Sequence, residues 1–433
     1  MAEAARTVRH YVSDCLQERH PYDAQKAFAG RPQRDIGLVY NGLQPHSSDD
    51  WMESLSDPEV CGEQRVRAVR LLIAHSASQE TKVVYLRKNV VSKAVAALLM
   101  EPSADFERHV FLLLRSLCTI SQGCRVVMDE GGLSAAIRSI HNRDNLEERA
   151  AAREAAVFMI YQISFNAAGV RWLLEAEVPE GFEFTDMPPS SCEYTCRKED
   201  VIEALVLILQ KDFEGDRKTL MYAITCLCQL TAQTEGIFAA MKGGAVTAVS
   251  SLLHKCVSER PDKLDEDILA GLLVVVSNVS MEQTGVEFVD ELQVPDDLFL
   301  LLAEYYECRR TSSYPFLRAL TGALSVVYKL LSVKMRSLEE LVNGHSRIMA
   351  IYILLHVMND VVTVTKHACK EQHPDVIAIS KNLVLSTRFA MEVKAVRSFT
   401  HSYLEEMDET TAFYFRRQLF YSTKWEEEFD AAV

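Results

Sequence analysis

Glycine and proline are scarce, at 17 and 12 of 433 residues. Together they make about 7% of the chain, against roughly 12% in an average protein. Sandwiches, barrels and other hairpin-rich folds need turn residues every few positions, so the shortage disfavours them and excludes a collagenous or low-complexity chain. Long apolar runs are missing as well. The longest, Leu269–Val276 and Ile348–Val357, fall far short of the ~20 residues of a membrane-spanning helix. Met1–Arg19 has no apolar stretch of the kind that marks a secretory signal. No membrane association is expected. Basic residues are outnumbered, 46 to 61, for a net charge of −15. That balance disfavours binding to a nucleic-acid phosphate backbone and suits basic or neutral partners.

The 11 cysteines are odd in number and irregularly spaced, and Cys118, Cys226 and Cys228 sit in apolar helical runs. Reduced, buried thiols in a cytoplasmic protein are expected rather than a disulfide framework. Reaction motifs are absent too: there is no GxxxxGK[ST], GxSxG or HExxH, and Gly215-Asp-Arg-Lys-Thr lacks the upstream glycine of a phosphate cradle. Cys192 and Cys196, and the group His367, Cys369 and His373, lack the paired spacing of a four-ligand zinc site. The expectation is a non-enzyme without metal, cofactor or small-molecule substrate.

From about Glu63 onward the chain has helical apolar periodicity. Residues 1–60 hold four prolines (Pro21, Pro32, Pro45, Pro58) and read as an N-terminal arm, with an amphipathic helix near Ala2–Glu18. Residues 61–400 read as one helical array, interrupted at 178–198 by an insertion carrying Pro179, Pro188 and Pro189. Residues 401–433 form an aromatic and acidic C-terminal segment.

Within the array a short motif recurs. Ile160-Tyr161-Gln162-Ile163-Ser164 precedes Gly169, Leu227-Cys228-Gln229-Leu230-Thr231 precedes Gly236, and Val276-Ser277-Asn278-Val279-Ser280 precedes Gly285. Each reads aliphatic, any, amide, aliphatic, hydroxyl, then glycine. A fourth copy, Leu117-Cys118-Thr119-Ile120-Ser121, fits Gly123 only with a three-residue deletion, and fainter copies start near Leu71 and Leu324. The anchors at 71, 117, 160, 227, 276 and 324 are separated by 46, 43, 67, 49 and 48 residues, the long interval holding the insertion. A helical period in the mid-forties implies a solenoid of armadillo or HEAT type. The two aliphatics face the core, the hydroxyl ends a helix, and the glycine is expected to turn the chain through positive φ. Gly131-Gly132 and Gly243-Gly244 then divide a short first helix from a second, and a long third helix completes the unit.

These residues resemble the armadillo family over about 63–335, carried by the motifs ending at Gly236 and Gly285 and by Gly243-Gly244. The resemblance implies an all-α, right-handed α-solenoid whose third helices line a groove. Asn278 matches the family's groove asparagine, and Gln162 and Gln229 match it as amides, whereas Thr119 and Val326 depart from it. An amide offers a donor and an acceptor to an extended backbone, so Gln162, Gln229 and Asn278 are the candidate protein-binding ladder. Bridging between neighbouring helices is the competing role. Import-cargo binders carry a tryptophan four residues before the asparagine. Here Phe158, Thr225 and Val274 stand there, so that activity is not implied.

A second resemblance joins Asp35–Leu43, Arg65–Leu72 and Ser121–Met128 to the armadillo protein of ciliary radial spokes, and implies a structural role in a cilium or flagellum axoneme. At the C-terminus, Phe415, Arg416, Arg417, Phe420 and Trp425 lie in an aromatic-rich stretch that either caps the array or docks a partner. The sequence therefore reads as a protein–protein interaction scaffold in the cytoplasm, binding several proteins of a larger assembly. A soluble adaptor or assembly chaperone is the alternative.

Overall fold

Capping side chains and amphipathic spacing set the helices. In Ala104–Leu117 the Ser103 side chain accepts from the Phe106 amide, Asp105 and Glu107 occupy the first turn and Arg115 the last. Both placements suit the helix dipole. Phe106, Val110, Leu113, Leu114 and Leu117 then fall on one buried stripe. Asp265 starts Glu266–Val279 in the same way by accepting from the Ile268 amide.

In a computed structural model of the chain, the residues described are 45–301, apart from 101–102, 143–146, 177–196, 212–216, 259–264 and 299, with single positions beyond 301. The elements among them are all helices: α1 (Pro45–Ser56), α2 (Gly62–His75), α3 (Gln79–Arg87), α4 (Val90–Met100), α5 (Ala104–Leu117), α6 (Ser121–Asp129), α7 (Gly132–His141), α8 (Ala150–Ser164), α9 (Ala167–Leu173), α10 (Lys198–Lys211), α11 (Arg217–Thr231), α12 (Thr234–Lys242), α13 (Ala245–Ser258), α14 (Glu266–Val279) and α15 (Gln283–Glu291). They repeat in threes, a short helix and then two longer ones. Third helices α2, α5, α8, α11 and α14 pack each on the next, and second helices α4, α7, α10 and α13 form a parallel row. One apolar cluster runs between the rows from Met52 to Val326. This is the all-α solenoid of armadillo type that the motif implied.

Three expectations are corrected. The array begins earlier than residue 61, because α1 packs on α2 and α4 and buries Met52 and Leu55 completely or nearly so. The Ala2–Glu18 helix lies outside the described residues. The insertion ends before Lys198, which is the first residue of α10, and 177–196 also lie outside.

The third correction concerns the repeat junction. A Cβ added at Gly123, Gly169, Gly236 or Gly285 would sit 2.0, 2.1, 1.9 or 2.0 Å from the carbonyl oxygen of Leu117, Ile163, Leu230 or Val279. Each carbonyl belongs to the residue six before the glycine, at the end of a third helix. The glycine is therefore needed for close approach rather than for positive φ. The contact also aligns the fourth copy without a deletion: Leu117 matches Ile163, so Ser116, not Thr119, holds the ladder position. The hydroxyl position is equally regular. Ser76, Ser164, Thr231 and Ser280 are all buried and donate to helix carbonyls at 2.7–2.8 Å, while Cys118 takes that place after α5.

Positive φ occurs instead at the other turn of each unit. Asn89, Gly131, Glu175, Gly244 and Gln293 have φ of 56, 82, 53, 76 and 59°. Asn89, Gly131, Gly244 and Gln293 stand immediately before second-helix positions, and Glu175 follows α9. Among the described cysteines, Cys118, Cys124, Cys226 and Cys256 are buried and form no disulfide. Burial, against a hydrogen bond with Ser164, pushes the Cys226 thiol up to about 12, which keeps it protonated and unreactive.

Helix propensity alone would make Gly236→Ala stabilising by about 1 kcal/mol. The 1.9 Å approach to Leu230 reverses the sign, and a loss of about 3 kcal/mol is expected. Gly244→Ala meets no atom within 4 Å and loses only the about 1–2 kcal/mol of a left-handed alanine. Gln293→Gly relieves the same strain and gains about 0.5 kcal/mol. Thermal melts of the three variants should rank in that order, and a stabilised Gly236→Ala variant would refute the close approach.

Candidate protein-binding face

The corrected register fixes which side chains the third helices present away from the core. The ladder position holds Ser116 on α5, Gln162 on α8, Gln229 on α11 and Asn278 on α14, all half-buried. Equivalent turns of packed neighbours place them in one row across four repeats.

Two members of the row reach back to the preceding repeat. Asn278 Nδ2 donates to the Cys228 carbonyl at 3.1 Å and to Thr231 Oγ1 at 3.2 Å. The Ser116 and Ser76 hydroxyls share a hydrogen bond of 2.7 Å. Gln162 and Gln229 make no such bond to a described residue. Asn278 thus takes on the helix-bridging role, and the two glutamines keep amides able to donate and accept.

Beside them lies a cluster that the sequence left unmarked. Phe158 of α8 and Tyr222 of α11 stack with centroids 4.2 Å apart and planes at 7°. Tyr161 packs against Tyr222 at 5.2 Å and against Phe165 at 4.7 Å, and Phe165 is 54% exposed. The Arg115 guanidinium of α5 lies 3.6 Å from the Phe158 centroid. Tyr222 already covers one face of Phe158 at stacking distance, so Arg115 covers the other. Three consecutive repeats are tied through one ring, with the cation–π attraction that a desolvated guanidinium strengthens.

Arg115 meets aromatic rings and no described acid. Burial pulls its guanidinium below the ordinary value, and the Tyr222 and Tyr161 hydroxyls act weakly in the other direction. Its Nε is buried without a hydrogen-bond partner. No described carboxylate pairs with it. Arg149 is the contrast: it makes a forked pair with Glu107, at 2.9 Å to each oxygen, and Ser139 donates to the same carboxylate at 3.1 Å. Arg70 likewise pairs with Asp105 at 3.2 Å. A signal for the cluster existed in the sequence. Tyr161 fills the motif's unspecified position, and in the true register Arg115 fills it one repeat earlier, where the deletion had hidden it.

Of the C-terminal candidates, Arg416 is helical and half-buried. Phe415, Arg417, Phe420 and Trp425 lie outside the described residues, as do Cys192, Cys196, His367, Cys369 and His373. Among the described residues no group of three or more His, Cys, Asp or Glu side chains is placed to hold a metal ion. No single described helix is long and apolar enough to cross a membrane.

No protein-family model and no curated protein matches the chain. Solved structures do. A chain of a structure named for the phosphorylation switch that controls the interaction between cadherin and beta-catenin is similar over 92% of this chain and 71% of its own, at TM-score 0.59 and 12% identity. A computationally designed armadillo repeat protein for modular peptide recognition is similar over 64% of this chain and 98% of its own, at TM-score 0.47 and 16% identity. A designed armadillo repeat protein in complex with the peptide (KR)4 covers 65% and 98%, at TM-score 0.47 and 14% identity. The first likeness shows that the fold is shared with a solved chain.

The stack makes its own prediction. Phe158→Leu and Tyr222→Leu should each destabilise the array. In a double-mutant cycle their effects should be non-additive by about 0.5–1.5 kcal/mol. Strict additivity in urea titrations would show that the two rings do not meet.

Proposed function

We propose that the chain is a non-catalytic protein-interaction scaffold whose third-helix face holds an extended segment of a partner protein. The observation that carries this reading is the pair Gln162 and Gln229. They occupy equivalent turns of adjacent helices, stay half-buried, and spend their amides on no described residue. An extended segment leaves its backbone N–H and C=O groups unpaired along one edge, and two amides in one row can answer them at intervals. The stacked rings beside them supply rigid apolar area at small entropic cost. Asn278 takes part through its oxygen, its nitrogen being engaged with α11.

The more specific form of the reading is a structural component of the ciliary or flagellar axoneme, one of several proteins in a radial spoke. It rests on the resemblance over Asp35–Gly132, of which Asp35–Leu43 lies outside the described residues. A soluble adaptor or assembly chaperone uses the same face transiently. Retention with the cytoskeleton after detergent extraction of ciliated cells separates the two, since an adaptor washes out.

The scaffold reading is tested by affinity capture from such cells with the full chain and with Gln162→Ala/Gln229→Ala. Each lost hydrogen bond is worth about 1 kcal/mol. The double variant should therefore fold as the parent does and lose its extended-segment partners by ten- to thirtyfold in affinity. An unchanged set of captured proteins would overturn the role of the face.

A further inference from the structure

Arg115 is costly where it stands. The charged group is half-buried among Phe158, Tyr161 and Tyr222, and its Nε is buried without an acceptor. Buried guanidinium groups ordinarily meet carboxylates, as Arg149 meets Glu107 in the same structure. The acids nearest along the third-helix face do not serve. Asp105 is turned to Arg70 and His109, and Glu154, one turn before Phe158 on α8, makes no ion pair with Arg115. Two helical turns before Arg115 on the same face of α5 stands Arg108, exposed and likewise without a described partner. Arg115 is therefore a guanidinium without a carboxylate partner among the described residues, although the chain carries a net charge of −15.

We propose that Arg115, held against Phe158, is the anchor for a side-chain carboxylate of the extended partner segment, and that the partner is an acidic peptide. The inference rests on the scaffold reading and adds its chemical specificity. The ring stack fixes the plane of the guanidinium before binding, so little rotamer freedom is lost when a carboxylate arrives. A planar, forked donor matches a carboxylate through two parallel hydrogen bonds. Gln162 follows Tyr161 on the same helix, so one strand of partner can meet Arg115 with a side chain and Gln162 with its backbone.

The test uses the full chain and three fluorescein-labelled peptides of equal length, which differ only in a central run of Glu, Gln or Lys. Fluorescence anisotropy should show the Glu peptide binding about tenfold or more tightly than the Gln peptide, and the Lys peptide not at all. Arg115→Met should reduce the Glu peptide to the level of the Gln peptide while melting no lower than the parent, because it removes a buried unpaired donor. Arg115→Lys, which keeps the charge and loses the fork and the stacking, should recover only part of the difference. Equal binding of Glu and Gln peptides by the parent chain would overturn the proposal even if the Arg115 variants failed to fold. So would binding of a phosphotyrosyl peptide without binding of the Glu peptide. Failure of the scaffold reading looks different: Gln162→Ala/Gln229→Ala would then bind every peptide as the parent does.

Discussion

The contact on which the array depends is the one between a junction glycine and a carbonyl six residues earlier. At four successive junctions the first turn of a short helix lies directly on the last turn of a third helix, closer than any Cβ permits. That approach sets the angle at which the chain leaves one repeat and enters the next. It also fixes the phase of every third helix relative to its junction, so the position seven before the glycine always points the same way. The row of Ser116, Gln162, Gln229 and Asn278 follows from this phase. A second constraint, a left-handed residue near each second-helix position, closes the other turn. Glycine fills it at 131 and 244, whereas Asn89, Glu175 and Gln293 accept the strain of about 1–2 kcal/mol. At that turn the chain tolerates a penalty, and at the junction it cannot, because a clash with backbone has no flexible side chain to yield.

Stability in such an array is a sum of units and their neighbour contacts. The apolar core supplies most of it, and polar bridges set the register between repeats. Some bridges are complete. Glu107 receives Arg149 and Ser139 together, and Arg217 clamps Asp265 and Asp267 across α11 and α14. The latter pair is exposed and screened, so its worth is small, whereas the former is largely withdrawn from water on both sides. Arg115 departs from this pattern. It crosses between repeats by stacking on a ring instead of pairing with an acid, which fixes its position and leaves its charge unanswered. That unmet donor, held rigid by its neighbours, is the feature that the proposed acidic partner satisfies.

Much of the fold was legible because the constraint that builds it needs one residue type. Glycine at a fixed distance after an aliphatic–amide–aliphatic–hydroxyl run exposed three repeats at once, and the buried hydroxyls confirm why Ser164, Thr231 and Ser280 recur. The fourth copy was misread because Cys118 replaces the hydroxyl and Ser116 the amide, so an alignment by residue type slid three places to Thr119. That slip concealed Arg115. The aromatic stack was illegible for a related reason. Phe158 and Tyr161 belong to one repeat and Tyr222 to the next, with the insertion before Lys198 between them in sequence, and only the packing of α8 on α11 brings them together. The start of the array is not legible because α1 is polar in composition, and its buried Met52 and Leu55 declare themselves only against α2 and α4.

An acidic chain that captures an acidic segment raises a physical objection, and its resolution lies in range. The net charge of −15 acts at long distance, where salt screens it within about 8–10 Å. Arg115 acts at hydrogen-bond distance, half-buried among aromatic rings, where a charge-assisted pair is stronger than in open water. The overall field therefore slows the approach of an acidic partner and does little to the bound state. The local site acts on the lifetime of the complex once formed. Discrimination between acidic and neutral segments then resides in the dissociation rate, with association held below the rates that electrostatic steering gives. Such an arrangement favours partners that arrive tethered or at high local concentration over those that must find the face by free diffusion.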